Sequence, residues 1–565
     1  MPSSLGEFSH RTRADSLRRF REEEFDFLVI GGGITGAAVA RDAAMRGLKV
    51  ALVEKGDFAQ GTSSKSSKLI HGGLRYLQNF EFHLVFEALA ERALLMRTVP
   101  HMVRPLKFYF PIYVGDAVGK FKLGMGMWLY DILALFRAPG FHRNLSRKKM
   151  LAEIPHLKAE GLLGGFQYWD ASMWDDALAV ENLRAAQART VAIANYVEAI
   201  VPVWGQGKRS AMITGFKVRD VVGGGPEFVI KANHILVCAG PWTDRVGKSL
   251  SKDWRPWLKP SKGVHLVFDA KRFSIPGALV MSQPQDGRIS FVIPRQDYGT
   301  GVVIVGTTDG PTPDDPESAR VVTDDVEYLM VLLSKYFPEL KLTASDIVSA
   351  YVGVRPLFGS EGVKSLQKVS REHHIDRGPG GTTVVAGGKY TTSRKMAEEI
   401  IEFALAQWAL DAKAGLAEPV PPTTPADTRD PINPDTLPER ILETARALGP
   451  GYPEVFVGRY GAEARRIVEI AEKEGSEKNL PAAPDGFPVL GAQLLHAIRT
   501  GMVIRLEDFY LRRVPLFLAR RDHGLPWLDG LAGLWANETG QPAGAAEAEA
   551  EAVRVRFKAL EIWRG

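Results

Sequence analysis

Cysteine is nearly absent. The 565-residue chain carries one, Cys238, inside the apolar run HILVCAG. A single cysteine excludes a disulfide framework and a cysteine-based zinc site within the chain, and in this setting it reads as a small buried hydrophobe. No uninterrupted apolar run reaches the roughly 20 residues that a membrane-spanning helix needs. Residues 1–24 are polar and charged and lack the apolar core of a secretory signal. They are expected to form a frayed or surface-lying N-terminal extension, and the protein is expected to stay on the cytoplasmic side. Zinc-finger, RRM and KH patterns are also missing, and a net charge of +5 is weak ground for nucleic-acid binding. Neither a nucleic-acid partner nor a metal is therefore expected. The small positive excess suits an anionic substrate or an anionic membrane surface. There are no internal repeats. What is left is an ordinary globular composition, 45% hydrophobic and 24% charged, long enough for two or three domains.

The chain is organised around residues 25–55, FDFLVIGGGITGAAVARDAAMRGLKVALVEK. A short apolar run predicts a buried parallel strand, a GxGxxG turn follows, and the residues through Arg46 predict a helix that Gly47 ends. A second apolar run, 48–53, stops at Glu54. Gly31 permits the tight turn, Gly33 lets a pyrophosphate approach the backbone, and Gly36 lets helix and strand pack closely. Ile34 and Thr35 open the helix, whose unpaired N–H groups and positive dipole end suit phosphate. Glu54 is spaced to accept hydrogen bonds from the adenosine ribose, with Lys55 beside it. Strand, turn, helix, strand and acid together define a dinucleotide site. They do not separate FAD from NAD.

The next segment, GTSSKSSKLIHGGLRYL, is dense in hydroxyls and leads into His71-Gly72-Gly73. Hydroxyl donors and close backbone approach are what a second contact line along a cofactor would use. This string resembles the signature of the FAD-dependent, quinone-linked glycerol-3-phosphate dehydrogenases, a family of glutathione-reductase-like and D-amino-acid-oxidase-like flavoproteins. The resemblance runs from about residue 25 to 396, and more weakly through the C-terminal region. It implies FAD as cofactor. It also implies an α/β fold: a Rossmann-like FAD-binding domain, an antiparallel-sheet substrate domain and a helical C-terminal domain. The implied FAD contacts are Gly31, Gly33, Ile34, Thr35, Gly36, Glu54, Lys55, Thr62, Ser63, Ser64, Ser66, Ser67, Lys68, His71, Gly72, Gly73, Val197, Ala239, Gly240, Trp242, Gly388, Lys389, Tyr390 and Thr391.

The expected organisation is an extension, 1–24; a discontinuous FAD-binding domain, 25–78, 160–245 and 378–412; and a cap, 79–159 and 246–377. A linker, 413–437, a helical C-terminal domain, 438–540, and a tail, 541–565, complete it. A helix is expected over 81–99, with Ala88, Glu91, Arg92 and Leu95 at helical spacing. The run LKFYFPIYVGD reads as a strand interrupted at Pro111. Residues 120–137, KFKLGMGMWLYDILALFR, read first as a buried core helix. Trp128, Tyr130 and flanking basic residues make a helix lying in a membrane interface the alternative. Residues 264–354 read mostly as antiparallel strands with one helix near 324–337. Residues 383–386 predict a strand, Gly387-Gly388 a turn, and Thr391, Thr392 or Ser393 the cap of a helix whose apolar face is Met396, Ile400, Ile401, Ala404, Leu405 and Trp408. The family commonly has Tyr where Ser393 stands. Residues 412–439 are rich in Pro, Thr and Asp, and the Ala/Glu-rich tail reads as a surface helix or as disordered.

Oxidising a secondary alcohol through a flavin requires hydride delivery to N5, a base for the hydroxyl proton, cations for the phosphate and a positioned carbon. Arg355 and Arg371 can clamp a phosphate bidentately. Arg75 and Tyr76 follow the cofactor loop and can reach the substrate. Lys389 at the turn beneath the flavin can bind substrate oxygen or stabilise the reduced flavin. His71 and His265 are the neutral-pH proton acceptors of the matched region. The base is left open between these histidines and a neighbouring arginine. The resemblance implies conversion of glycerol 3-phosphate to dihydroxyacetone phosphate, with electrons passed to a membrane quinone by a protein peripheral to the inner face of the cytoplasmic membrane. An oxidase that delivers electrons to oxygen, or a non-catalytic flavin-binding subunit, are the other readings. A homo-oligomer is left open. The family's oxidases carry a long insertion between the second phosphate-binding Arg and the Lys beneath the flavin, whereas here Arg371 and Lys389 are joined by a short passage.

Overall fold

Two sheets and a helical C-terminal block make up the structure, a computed structural model that describes residues 5–74, 77, 81–116, 118–135, 137–282, 288–359, 373–433, 438–448, 454–475 and 483–564. The first is an eight-stranded sheet centred on Glu24–Ile30. That strand runs parallel to Val50–Val53 on one side and to Phe228–Val237 on the other, and Ala192–Ala194 extends the sheet beyond Val50–Val53. Burial on both faces is why these strands read as continuous apolar runs. The helices Ile34–Met45, Asp175–Gln187 and Ser393–Lys413 pack together on one side of the sheet. The expected face of the last helix is the one buried: Met396, Ile400, Ile401, Ala404 and Trp408 are core, and Leu405 is packed against it. Its N-cap, Thr392, makes no side-chain capping bond, unlike the expectation from its hydroxyls.

A ten-stranded, largely antiparallel sheet is built mostly from residues 261–355 and the long pair Val103–Tyr113 and Leu162–Met173. The pair corrects the expected interruption at Pro111. Val103–Tyr113 continues through Pro111, which faces Gly165, a residue with no side chain to crowd the neighbouring carbonyl of Phe110. Leu162–Met173 and Leu69–Ile70, expected in the FAD-binding domain, pair within this second sheet, and His373–Arg377, expected in the cap, pairs within the first. The helix Phe82–Thr98 buries Ala88, Glu91, Arg92 and Leu95, and Thr323–Tyr336 is the single long helix among the described residues of 264–354.

At both ends of the chain the ordered alternative holds, each forming a helix packed by one face on the fold. His10–Glu22 is a helix, capped by Ser9, with Phe8 and Phe20 buried and Arg13 paired to Asp220 at 2.6 Å. A frayed extension would have left those two aromatic rings in water. The tail forms a helix, Ala545–Leu560, whose Ala550, Val553 and Phe557 are core. The presumed linker lies along the first domain: Thr424 N–H donates to Arg46 O, and buried Asn433 donates to Glu181. Helix Lys120–Leu133 is buried on one face only. Leu123, Met127, Tyr130 and Asp131 face inward, while Phe121, Met125, Trp128 and Ile132 face solvent. Among the described residues no helix is long and apolar enough to cross a membrane.

Candidate active site

A cavity of about 590 Å³ opens along the C-terminal ends of the parallel strands and continues beneath the second sheet. Its floor starts at the glycine turn. Gly31 takes φ +115°, and a Cβ there would press on the Cys238 carbonyl; one at Gly36 would overlap the Gly31 carbonyl oxygen. Only glycine allows this crossing of helix and strand. Gly33 caps the helix Ile34–Met45 without a side-chain acceptor of its own, and Ser63 Oγ accepts the Ile34 N–H at 3.0 Å. Glu54 accepts from Gly32 N–H at 2.7 Å and Gly56 N–H at 2.9 Å. Burial raises its carboxyl above the ordinary range, opposed by those two N–H groups. Val197, at the start of the strand Val197–Trp204, is tied to the same residue, its N–H donating to Glu54 O at 2.8 Å.

The serine loop forms the next stretch of wall. Thr62–Ser64 is a short 3₁₀ turn, and Thr62, Ser63, Ser66 and Ser67 line the cavity. Lys68 does not. Its ammonium is buried on Asp175 Oδ1 (2.7 Å) and Ser64 O (2.8 Å), so its charge fixes the loop and is not offered to a ligand. Ser66 Oγ donates to the other Asp175 oxygen at 2.7 Å. Gly72 lies behind the wall with its N–H on Tyr130 OH (3.0 Å) and Asp170 (3.3 Å), and Ser64 and Gly73 also do not line the cavity. Sequence reasoning passed over Lys65, which does line it; one 3₁₀ turn from Thr62, it shares that residue's face. Burial, together with the positive charges of Arg556, Arg512 and Arg320, lowers its ammonium pKa to about 8. Gln60, Glu198, Arg219 and Arg245 were also passed over. Glu198 pairs with Arg219 at 2.6 Å and with Lys55 at 3.5 Å at the rim.

At the far end stand the groups expected to meet substrate. His265, on the strand Ser261–Asp269, stacks on Tyr351 at 4.7 Å and 9° and shares a hydrogen bond with Ser67 Oγ at 2.9 Å through Nε2. Burial, aided by Arg355 and Lys68, holds its imidazole well below the usual 6.5, so the ring is neutral at pH 7. Its Nδ1 is buried without a hydrogen-bond partner, as is Nε1 of Trp242, and both side chains line the cavity. Arg355 ends the strand Ile347–Arg355, and its fork donates to Thr307 Oγ1 (2.8 Å), Ser261 Oγ (3.0 Å) and Thr308 O (3.1 Å). Gly263 and Gly306 make room: a Cβ at either would strike Arg355 or His265. His71, Gly388, Lys389, Tyr390 and Thr391 close this end, with the Tyr390 hydroxyl on Asp175 O. Ala239, Gly240 and Trp242 complete the opposite side. Arg75, Tyr76 and Arg371 lie outside the described residues. Cys238 is buried and its thiol pushed up to about 12, as suits a structural hydrophobe.

This arrangement fits a dinucleotide. A helix N-terminus whose cap, Gly33, carries no side chain, a glycine floor and two unpartnered buried ring nitrogens line one elongated space. The fold and the site define an FAD-dependent oxidoreductase, and the FAD dependent oxidoreductase family matches residues 26–394. The C-terminal domain of alpha-glycerophosphate oxidase matches residues 439–543. The aerobic glycerol-3-phosphate dehydrogenase of Staphylococcus haemolyticus is 33% identical over 502 residues, 88% of this chain and 87% of the relative. That of Staphylococcus aureus is 32% identical over 552 residues, 96% of each. The glycerol-3-phosphate dehydrogenase of Bacillus halodurans, solved with FAD, superposes with a TM-score of 0.75 at 27% identity, covering 97% of this chain and 98% of that one. The chain belongs to the FAD-dependent glycerol-3-phosphate dehydrogenase family, and its cofactor is FAD.

Proposed function

We propose that the protein oxidises sn-glycerol 3-phosphate to dihydroxyacetone phosphate and passes the electrons to a membrane quinone from the inner face of the cytoplasmic membrane. The observation that carries the substrate reading is the two-ended cavity. A dinucleotide cradle at Gly31–Glu54 is continuous with a second end holding Arg355, Lys389, His71 and His265. FAD, when bound, accepts the two electrons removed with the carbinol hydrogen. Everything else falls to side chains. Arg355, presented by a strand end, braced by Thr307 and Ser261 and paired with Asp309 at 3.4 Å, offers a planar cation that a phosphate would share with that carboxylate. His265, neutral at pH 7, and His71 are the imidazoles that can take the hydroxyl proton, and burial makes His265 a weaker base than an exposed imidazole. Lys389 would hold the substrate oxygen as it becomes a carbonyl.

The membrane reading rests on helix Lys120–Leu133. Phe121, Met125, Trp128 and Ile132 recur at spacings of four, three and four residues, which puts them on one outward face. Leu135 and Phe141 continue the exposed apolar surface, and Lys122, Arg137, Arg143, Lys148 and Lys149 are exposed in the same segment. An apolar stripe of this size with basic residues around it suits an anionic lipid surface. The quinone reading draws support from the hairpin His373–Arg377 and Thr383–Gly387, in which Arg377 faces Thr383 directly and no subdomain intervenes before Lys389. Stopped-flow reoxidation of the substrate-reduced enzyme tests both parts. A short-chain ubiquinone analogue should reoxidise the flavin within the turnover time and air should not. Oxygen outpacing quinone would make the protein an oxidase, and no flavin bleaching by glycerol 3-phosphate would end the substrate reading.

A further inference from the structure

A buried four-charge cluster joins the cofactor domain to the C-terminal helices. Asp57 lies three residues beyond Glu54 and has no exposed surface. Its Oδ1 accepts from Arg513 at 2.8 Å and Asn195 at 3.3 Å, and its Oδ2 accepts from Arg513 at 2.9 Å and from Arg512 Nε. Arg512 then bridges to Asp508 at 2.9 Å, which also accepts the Tyr196 hydroxyl at 2.6 Å. Asp508 is fixed in turn by the N–H groups of Arg505 and Ile504. Asn195 donates to Met502 O, and Arg513 donates to Gly501 O.

The partners of this cluster are the two strand-end segments that wall the cavity around Glu54. Asp57 belongs to the loop that begins at Glu54 and returns to the glycine turn where Ala59 N–H donates to Gly32 O at 3.1 Å. Asn195 and Tyr196 immediately precede Val197, and Tyr196 N–H donates to Gly56 O at 2.9 Å. Each wall is thus hydrogen-bonded to the other and to residues 501–513. A buried ion cluster gives little net stability over an apolar contact of the same volume, and its best-attested use is to fix one geometry among several. The geometry fixed here is the spacing between residues 54–59 and 195–197.

We propose that Asp57, Arg512 and Arg513 are positioning residues for the adenosine side of the FAD site, so that the C-terminal helical domain sets flavin affinity. This rests on reading Glu54 as the ribose acceptor. The full-length protein would be freed of flavin and titrated with FAD, and separately with ADP as a probe of the adenosine half. Asp57→Asn and Arg512→Lys are the variants; the second keeps the charge but loses the planar fork that joins two carboxylates. Both should weaken FAD binding at least tenfold and ADP binding by a similar factor. FAD affinity within threefold of wild type, even with a lowered melting temperature, would show that the cluster only holds domains together. Weaker FAD binding with unchanged ADP affinity would overturn the adenosine placement while leaving the cofactor itself untouched. Should either variant fail to fold, the wild-type protein decides. Coupling is reciprocal, so adding FAD must slow amide exchange in residues 501–513, and no slowing there refutes the proposal.

Discussion

Replacing Phe121 and Trp128 together by Ser should detach the protein from lipid while leaving its fold intact. The two side chains are 82% and 58% exposed, so the interior loses little when they go. Trp128 does touch His142 edge-on at 4.9 Å, but His142 is anchored independently by its backbone and ring nitrogens on Asp131. Full burial of a large apolar side chain is worth about 1.5–3 kcal/mol. Scaled by the exposed fractions, the pair contributes about 2–4 kcal/mol to insertion, roughly 30- to 1,000-fold in a partition coefficient. The assay is co-sedimentation with anionic vesicles across a lipid titration, beside the melting temperature and dye-linked turnover in solution. The double variant should lose partitioning and keep the other two. Partitioning within threefold of wild type would remove the helix from the membrane contact, and collapse of the fold would mean that the stripe is covered by protein.

Three further outcomes follow from the site. Gly33→Val would drive its side chain against Ser63 Oγ, which lies 3.1 Å from a Cβ there, and Glu54→Ala would strip the acceptor from two N–H groups; the first should purify without flavin and the second with less, as absorbance near 450 nm reports. Arg355→Ala should lose about 1.5–3 kcal/mol of charge-assisted hydrogen bonding, roughly ten- to two-hundredfold in kcat/KM for glycerol 3-phosphate, with partial rescue by Lys; unchanged kinetics would place the phosphate elsewhere. Lys65 is held to about 8 by burial first, then by Arg556, Arg512 and Arg320, with Glu507 opposing them. A bound diphosphate would raise that value, so FAD affinity should be highest below pH 8 and fall as the pH rises through it; Lys65→Met should flatten this limb, and a flat wild-type profile would rule out the coupling.

The local motifs were legible because each is set by nearest neighbours. The glycine turn, Glu54 and the 393–408 helical face all follow from short-range geometry; the first two line the cavity and the third is buried in the core of the first domain. Lys68 was expected among the cofactor contacts, and sequence spacing hides its ion pair. Its partner Asp175 is more than a hundred residues away, and only the folded chain shows that the charge is consumed. Lys65 was missed because a hydroxyl-rich string looks uniform until a 3₁₀ turn sorts its faces. Composition left the N-terminal segment open between frayed and surface-lying. Phe8 and Phe20 are a small apolar minority of that segment, yet both are fully buried. Helix Lys120–Leu133 buries one face and leaves an apolar one exposed, and composition alone has no means of separating faces that differ only in what lies next to them.

The sheet whose strand ends line the cavity is gathered from distant parts of the chain, with strands from residues 24–53, 192–237 and 373–387. On a ribosome adding about 5–20 residues per second, about 20–70 s separate the emergence of the first strand from that of the last. During that interval the glycine turn is exposed without the strands that will flank it, and the edge of Glu24–Ile30 has no partner from Phe228–Val237 until two hundred residues later. Such non-local pairing makes folding slow and leaves unpaired edges open to aggregation. Cofactor loading must therefore be a late event in the life of each chain. Flavin supplied after synthesis should still be taken up, whereas truncation before residue 387 leaves the sheet without the strand Thr383–Gly387.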